Sequence, residues 1–328
     1  MTLPVLNGFS GSIDSLAGAD EVIQALKDYD GNCYRIAFNP QWTNGSRPWE
    51  ATVQYGPDGE TKINYILNHP DFKGKYLIVD RSHMTDQDSG GELPYTGTTV
   101  RSWNTVRQNA FDMCELYKGK ENVIICIVNE YWWSTMYVYC EQLVQDLRNA
   151  GYTNPILNNK HNHAFDWDRH KTENPSLDFY GMHWYFTDES DYRLYSEWLK
   201  HMDSARDNGC LPLCHTEIGA SHLGTQTWTQ AQMDRLNDAV HESNARGNGC
   251  LVWMQKDADY RFKYEQLGFD PQWKNGGEGL SFVNETTKTV VVYKRPIVLD
   301  VKIGTVPAGG SLDVLIDESK EKLIIKDS

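Results

Sequence analysis

Two glutamates close two apolar runs, Glu130 at the end of VIICIVNE (123–130) and Glu217 at the end of CLPLCHTE (210–217). Two carboxyl groups facing each other across a cleft are the minimal equipment for breaking a glycosidic bond. One protonates the leaving oxygen, and the other attacks the sugar or activates water. Both runs are too apolar and too β-branched for loops and read as buried strands. A parallel barrel gathers the C-terminal ends of its strands on one face, so two strand-end glutamates can point at one cleft. Other titratable groups offer less. His161 and His163 have the spacing to share a metal, but no carboxylate–histidine set accompanies them. No metal and no cofactor is therefore expected. GPDG (56–59) is expected to be a turn, not a phosphate loop.

The rest of the chain supplies elements that can hold such a pair. Strand candidates fall at 3–9, 33–38, 75–80, 123–130, 155–159, 178–186, 210–217 and 250–255. Amphipathic stretches alternate with them at 19–29, 100–119, 137–151, 192–209 and 229–249, several ending in Gly, a common helix stop. A weaker eighth helix is expected within 259–279. Eight βα units of roughly 30 residues favour a (β/α)8 TIM barrel, an α/β fold, over residues 1–278. Strand parity is expected to put Glu217, His215 and Leu213 on one face, His183 and Tyr185 on one face, and Arg35 with Cys33 and Ala37. The turn-rich segment 84–98 is expected to be a long loop on the active face. From residue 279 the texture changes to short alternating strands such as KTVVVYK and IVLDVKI. Residues 279–328 are expected to form a small all-β appendage packed on the barrel, because so small a sheet rarely stands alone.

Composition bounds the partners. The chain has 328 residues, 40% hydrophobic and 23% charged, an ordinary globular balance. Its formal net charge of −14 disfavours nucleic acid and anionic membrane and suits a neutral substrate. No apolar run approaches the roughly 20 residues that span a bilayer. The N-terminus shows no leader peptide. The compartment stays open: secreted if a leader has been removed, otherwise cytoplasmic or released by lysis. The 11 Trp and 18 Tyr serve mainly for packing, with a subset able to stack on sugar rings. The seven cysteines lack CxxC spacing and read as buried thiols; Cys210 and Cys250, each after Asn-Gly, are expected side by side on neighbouring strands. A monomer is expected.

Several motifs resemble one known group in order. VNEYWW (128–133) resembles the strand-four Asn-Glu motif of the retaining glycoside hydrolases of clan A, and CHTEIGA (214–220) their strand-seven nucleophile motif. YGMHWYF (180–186) is similar to the strand-six His-x-Tyr, CYRIAFNP (33–40) to the strand-two arginine, and CLVWMQ (250–255) to strand eight with its tryptophan. The nearest resemblance is to glycoside hydrolase family 5, the cellulase and mannanase family, over roughly residues 1–260.

The resemblance implies a retaining, endo-acting β-glycosidase acting on a β-1,4-linked polysaccharide or oligosaccharide, a β-mannan or β-glucan. It casts Glu217 as nucleophile and Glu130 as acid/base. It makes Arg35 the cation that keeps Glu217 ionised, and Tyr185 a hydroxyl donor to it. It puts Asn129 against the sugar 2-hydroxyl, His183 beside the carboxylates, and Trp253 under the cleaved sugar. Trp132 and Trp133 would line the leaving-group side, and Trp42 and Trp49 the other. The chain departs from the family where proline often follows Asn-Glu, here Tyr131, and in Asp80-Arg81-Ser82-His83, which sets the candidate contact His83 one residue further out. Two alternatives stay open: a non-catalytic carbohydrate-binding barrel, and a metal-dependent hydrolase built on the histidines.

Overall fold

A computed structural model describes residues 3–11, 16–37, 57–80, 103–129, 136–160, 166–186, 195–219 and 230–253, and beyond them the strands at 279–283, 290–294, 301–306, 311–315 and 324–327. The chain divides into two compact units, Met1–Trp273 and Lys274–Ser328. In the first, eight parallel strands close into a barrel: β1 (Asn7–Gly11), β2 (Cys33–Ala37), β3 (Tyr76–Asp80), β4 (Val123–Cys126), β5 (Ile156–Lys160), β6 (Phe179–Tyr185), β7 (Leu213–Gly219) and β8 (Gly249–Trp253). The described helices between them are α1 (Leu16–Asp28), α2 (Pro57–Asn68), α3 (Trp103–Leu116), α4 (Met136–Asn149), α5 (Trp167–Glu173), α6 (Tyr195–Asp207) and α7 (Gln230–Ala245). The α/β barrel expected from the alternating pattern is the fold observed.

Two apolar layers hold it. Inside the barrel, Leu6, Cys33, Ile78, Ile124, Cys126, Leu157, Phe179, Cys214 and Leu251 pack together. Outside, the alternate strand residues meet the helices: Val22, Ile23 and Leu26 of α1, Leu143, Val144 and Leu147 of α4, and Leu236 and Val240 of α7. Strands buried on both faces read as continuous apolar runs, which is why they stand out in the sequence. Gly119, Gly151, Gly209 and Gly247 follow α3, α4, α6 and α7 with positive φ, the conformation that stops a helix at little cost for glycine.

Some sequence expectations are corrected. The first strand is 7–11, not 3–9, because the LPVL run carries Pro4, which has no N–H for a ladder. GPDG is not a turn: Pro57 opens α2, the helix position where a missing N–H costs nothing. The short helix α5, N-capped by the Asp166 carboxylate accepting from the Arg169 N–H at 3.2 Å, adds to the expected helices. Cys210 does not face Cys250. Cys210 Sγ donates to the Trp167 carbonyl, while Cys250 is paired across the ladder with His215. All seven cysteines are buried and free. The segments 84–98 and 259–278 lie outside the described residues.

In the second unit, two antiparallel sheets run in the orders β11-β10-β13 and β12-β9, with β9 (Gly279–Val283), β10 (Val290–Lys294), β11 (Val301–Val306), β12 (Ser311–Leu315) and β13 (Ile324–Asp327).

One buried histidine ties β7 to its helices. Trp198 of α6 donates its indole N–H to His215 Nε2 at 2.8 Å, so the ring proton sits on Nδ1, 3.2 Å from the Gly249 carbonyl. Burial drives its pKa down to about 4, although the Gly249 hydrogen bond works the other way. Because the folded value lies below the ordinary one, the neutral ring's stability contribution is complete above about pH 6.5 and is lost as pH falls toward 4. The loss from this residue approaches about 3 kcal/mol. His215→Gln cannot take up that proton. The urea-unfolding gap between wild type and variant should therefore narrow between pH 7 and pH 4.5. An unchanged gap refutes the assignment.

Candidate active site

At the barrel mouth, side chains from the middle and C-terminal ends of the strands meet around Arg35. Its side chain is fully buried, and Nη1 lies 2.6 Å from Glu217 Oε1 and 2.9 Å from Ser10 Oγ. Nη2 lies 2.6 Å from Asp80 Oδ2 and 2.8 Å from Asn129 Oδ1. Burial alone would push the guanidinium pKa down, but the charges of Asp80 and Glu217 more than offset it and hold the pKa above the ordinary value. Arg35 is thus a permanent cation between two carboxylates. A buried charge survives only when paired and hydrogen-bonded, and here both conditions are met.

Glu217 is 5% exposed and receives more than the arginine. The Tyr185 hydroxyl donates to its Oε2, and His183 Nδ1 stands 3.4 Å from the same oxygen. These contacts fix the direction in which the carboxylate points.

The way Glu217 reaches the interior overturns the expected parity. Leu213 and Ile218 pack outward with the helices, and His215 bonds Trp198 of α6, while Cys214 packs inside the barrel. Regular alternation would turn Glu217 outward with His215. Instead the β6–β7 register runs Met182 to His215 and then His183 to Glu217, leaving Thr216 as an extra residue. This β-bulge turns Thr216 and Glu217 both inward, a re-aiming that bulges commonly perform beside active sites. Nor does Glu217 end its strand, since β7 continues to Gly219.

The structure brings Arg35, Asn129, His183, Tyr185 and Glu217 into one buried cluster. His183 and Tyr185 share one face of β6, as parity groups them, and both meet Glu217; Arg35 shares the interior face of β2 with Cys33. Trp253 is the last residue of β8 and is partly exposed, paired across the ladder with Ser10. Glu130 follows Asn129 by one peptide bond and lies outside the described residues, as do Trp42, Trp49, His83, Trp132, Trp133, His161 and His163. Four interior residues were not picked out from the sequence: Ser10, Asp80 as the arginine's second carboxylate, Asn159 and Thr216. Asp80 ends an apolar strand just as the two glutamates end their runs, and that was the available cue. Among the described residues no group of three or more His, Cys, Asp or Glu could hold a metal ion.

The sequence matches the family model described as Cellulase (glycosyl hydrolase family 5) over residues 4–259. No curated protein sequence matches the chain. Solved structures share the fold at low identity. XacCel5A, determined in complex with cellopentaose, is 14% identical with TM-score 0.55, over 82% of this chain and 99% of that one. A GH113 β-1,4-mannanase is 12% identical with TM-score 0.52, over 76% and 88%. A glycoside hydrolase family 5 protein from Bacteroides vulgatus ATCC 8482 is 11% identical with TM-score 0.56, over 98% and 89%.

Proposed function

The chain belongs to glycosyl hydrolase family 5, and from that membership we propose that it is a retaining, endo-acting β-glycosidase cleaving a β-1,4-linked polysaccharide, a glucan or a mannan. The observation that carries this reading is Glu217: an almost fully buried carboxylate accepting from Arg35 and from the Tyr185 hydroxyl. Such a group is fixed in direction, as an attacking carboxylate must be.

In this reading Glu217 attacks the anomeric carbon while Glu130 protonates the departing oxygen. A covalent glycosyl-enzyme forms, and Glu130 then takes a proton from the water that hydrolyses it. Asn129, beside Glu130 in sequence, bonds the sugar 2-hydroxyl. Trp253 is the stacking platform, and Trp42, Trp132, Trp133 and His83 are further substrate contacts. Double displacement needs the two carboxyl groups only about 5–5.5 Å apart, too close for an intervening water.

The test is a panel of carboxymethylcellulose, soluble β-mannan and β-1,3-glucan, read by reducing-end release, viscosity and early-time NMR of the product anomer. The family's description makes β-1,4-glucan the first choice and mannan the second. Viscosity should fall faster than reducing ends accumulate, the first product should keep the β configuration, and chelator should leave the rate unchanged. An inverted first product removes the double displacement. Binding with no cleavage of any polymer makes the barrel a non-catalytic carbohydrate binder. Loss of activity in chelator, restored by a divalent ion, returns weight to His161 and His163.

A further inference from the structure

We propose that Asn159 and Thr216 form a positioning pair that ties the nucleophile's strand to the strand end carrying Asn129 and Glu130, and so sets the geometry of the reaction. This rests on the function proposed above.

The argument starts from the bulge. Thr216 has no residue opposite it in the β6–β7 ladder, and a bulged residue is held by whatever its side chain finds. Its hydroxyl lies 2.6 Å from Asn159 Oδ1 and 3.4 Å from the Met182 carbonyl. Asn159 belongs to β5, which is not a neighbour of β7. The amide reaches across β6 because the residue it is paired with there is Gly181. A Cβ at Gly181 would stand 2.1 Å from Asn159 Oδ1, closer than atoms can approach. A glycine on the intervening strand is thus the physical condition for a bond between strands two apart.

The same amide reaches the other way. Asn159 Nδ2 lies 3.1 Å from Asn129 Oδ1 and 3.1 Å from Cys126 Sγ. The polarity of the chain is fixed by chemistry. Arg35 can only donate, so the atom of Asn129 facing it must be the carbonyl oxygen. The atom of Asn159 facing that oxygen must then be its nitrogen, and its own oxygen is left to accept from Thr216. One arginine thereby orients two amides and a hydroxyl in series. The Asn129 –NH2 is turned away from Arg35, as donation to a sugar hydroxyl requires. The series closes into a ring: Arg35 to Asn129, Asn159, Thr216, and by one peptide bond to Glu217, which Arg35 also holds. Asn159 is completely buried. It acts through its neighbours, so it is a positioning residue, not a catalytic one.

The test uses the full chain with Thr216→Val, Thr216→Ser, Asn159→Asp and the Val/Asp double variant, assayed on carboxymethylcellulose, or on soluble β-mannan if that is the polymer cut. Thr216→Val keeps the shape and removes the hydroxyl; Thr216→Ser keeps the hydroxyl. Asn159→Asp keeps the shape but turns the donor toward Asn129 into an acceptor. Expected are losses in kcat on the order of 10- to 100-fold for Thr216→Val and Asn159→Asp, the scale of a small misplacement at a reacting centre. KM should change little, Thr216→Ser should keep most of the activity, and the double variant should be no worse than its worse parent. Wild-type kcat in folded Thr216→Val overturns the proposal. So does an equal loss in Thr216→Ser, or a kcat loss that disappears on cooling well below the melting temperature. If Asn159→Asp does not fold, the Val/Ser contrast decides. Glu217→Gln is the control: an active Glu217→Gln brings down the functional reading and this inference together. An inactive Glu217→Gln beside a fully active Thr216→Val brings down the inference alone.

Discussion

Glu217→Gln should reduce kcat on the order of 10^4-fold or more, the scale seen when a covalent nucleophile is removed, while the protein stays folded. Glutamine fills nearly the same volume; its carbonyl oxygen can still accept from Arg35 at the Oε1 position, and its –NH2, at the Oε2 position, can donate to the oxygen of the Tyr185 hydroxyl. It cannot form the glycosyl ester. Stability should survive because of the local charge count. Arg35 carries one positive charge against the carboxylates of Asp80 and Glu217, so the buried set sums to one net negative charge. Removing Glu217's charge leaves the neutral Arg35–Asp80 pair. Arg35→Met provides the contrast. It removes the cation that both buried carboxylates bond, the kind of loss that costs about 3–5 kcal/mol. The check is turnover and thermal melting on purified variants. Wild-type turnover in Glu217→Gln, with contamination excluded by an inhibitor titration, ends the assignment of Glu217 as nucleophile.

The parts of this molecule legible in its sequence are those governed by local rules. Strands such as YLIVD and VIIC are apolar on both faces because one face meets the barrel interior and the other the helices. Helices announce themselves by spacing and by the glycines that stop them. Parity grouped His183 with Tyr185 and Arg35 with Cys33 because β2 and β6 keep a regular alternation. It failed on β7 because one extra residue, Thr216, resets the alternation, and the period-two rule has no means of registering an insertion. Asn158 and Asn159 illustrate a second limit. They are adjacent and identical, yet Asn158 bonds Asn174 and His170 of the α5 region while Asn159 enters the ring beneath the site. Only the closed barrel, with Gly181 making room, separates a packing amide from a positioning one. Asp80 shows a third limit: an acid at a strand end becomes interpretable only once the arginine it faces is known.

Glu130→Gln should split the two chemical steps according to the leaving group, which distinguishes an acid/base from a nucleophile. On polysaccharide the departing sugar oxygen is a poor leaving group and needs its proton. General acid–base catalysis contributes on the order of 10^2- to 10^4-fold, so kcat should fall by that amount. On an aryl glycoside with a strongly acidic phenol the oxygen leaves as the anion, and the first step needs no acid. Glu217, untouched and still held by Arg35, should therefore form the glycosyl-enzyme at close to its normal rate. The second step still needs a base to take a proton from water, and that base is gone. The intermediate should accumulate, giving a burst of phenol equal to the enzyme concentration followed by a slow steady state, with a low KM for the aryl substrate. Glu217→Gln should show no burst on either substrate. Asn129 lies buried one residue before Glu130, bonded to Arg35 and Asn159, so the variant has a fixed support and its effect should be chemical and not conformational. Equal losses on polysaccharide and on the activated aryl glycoside, without a burst, would take the acid/base role away from Glu130. It would then have to be sought among the other carboxylates at the barrel mouth, Asp80 first, because its partner Arg35 already links it to the nucleophile.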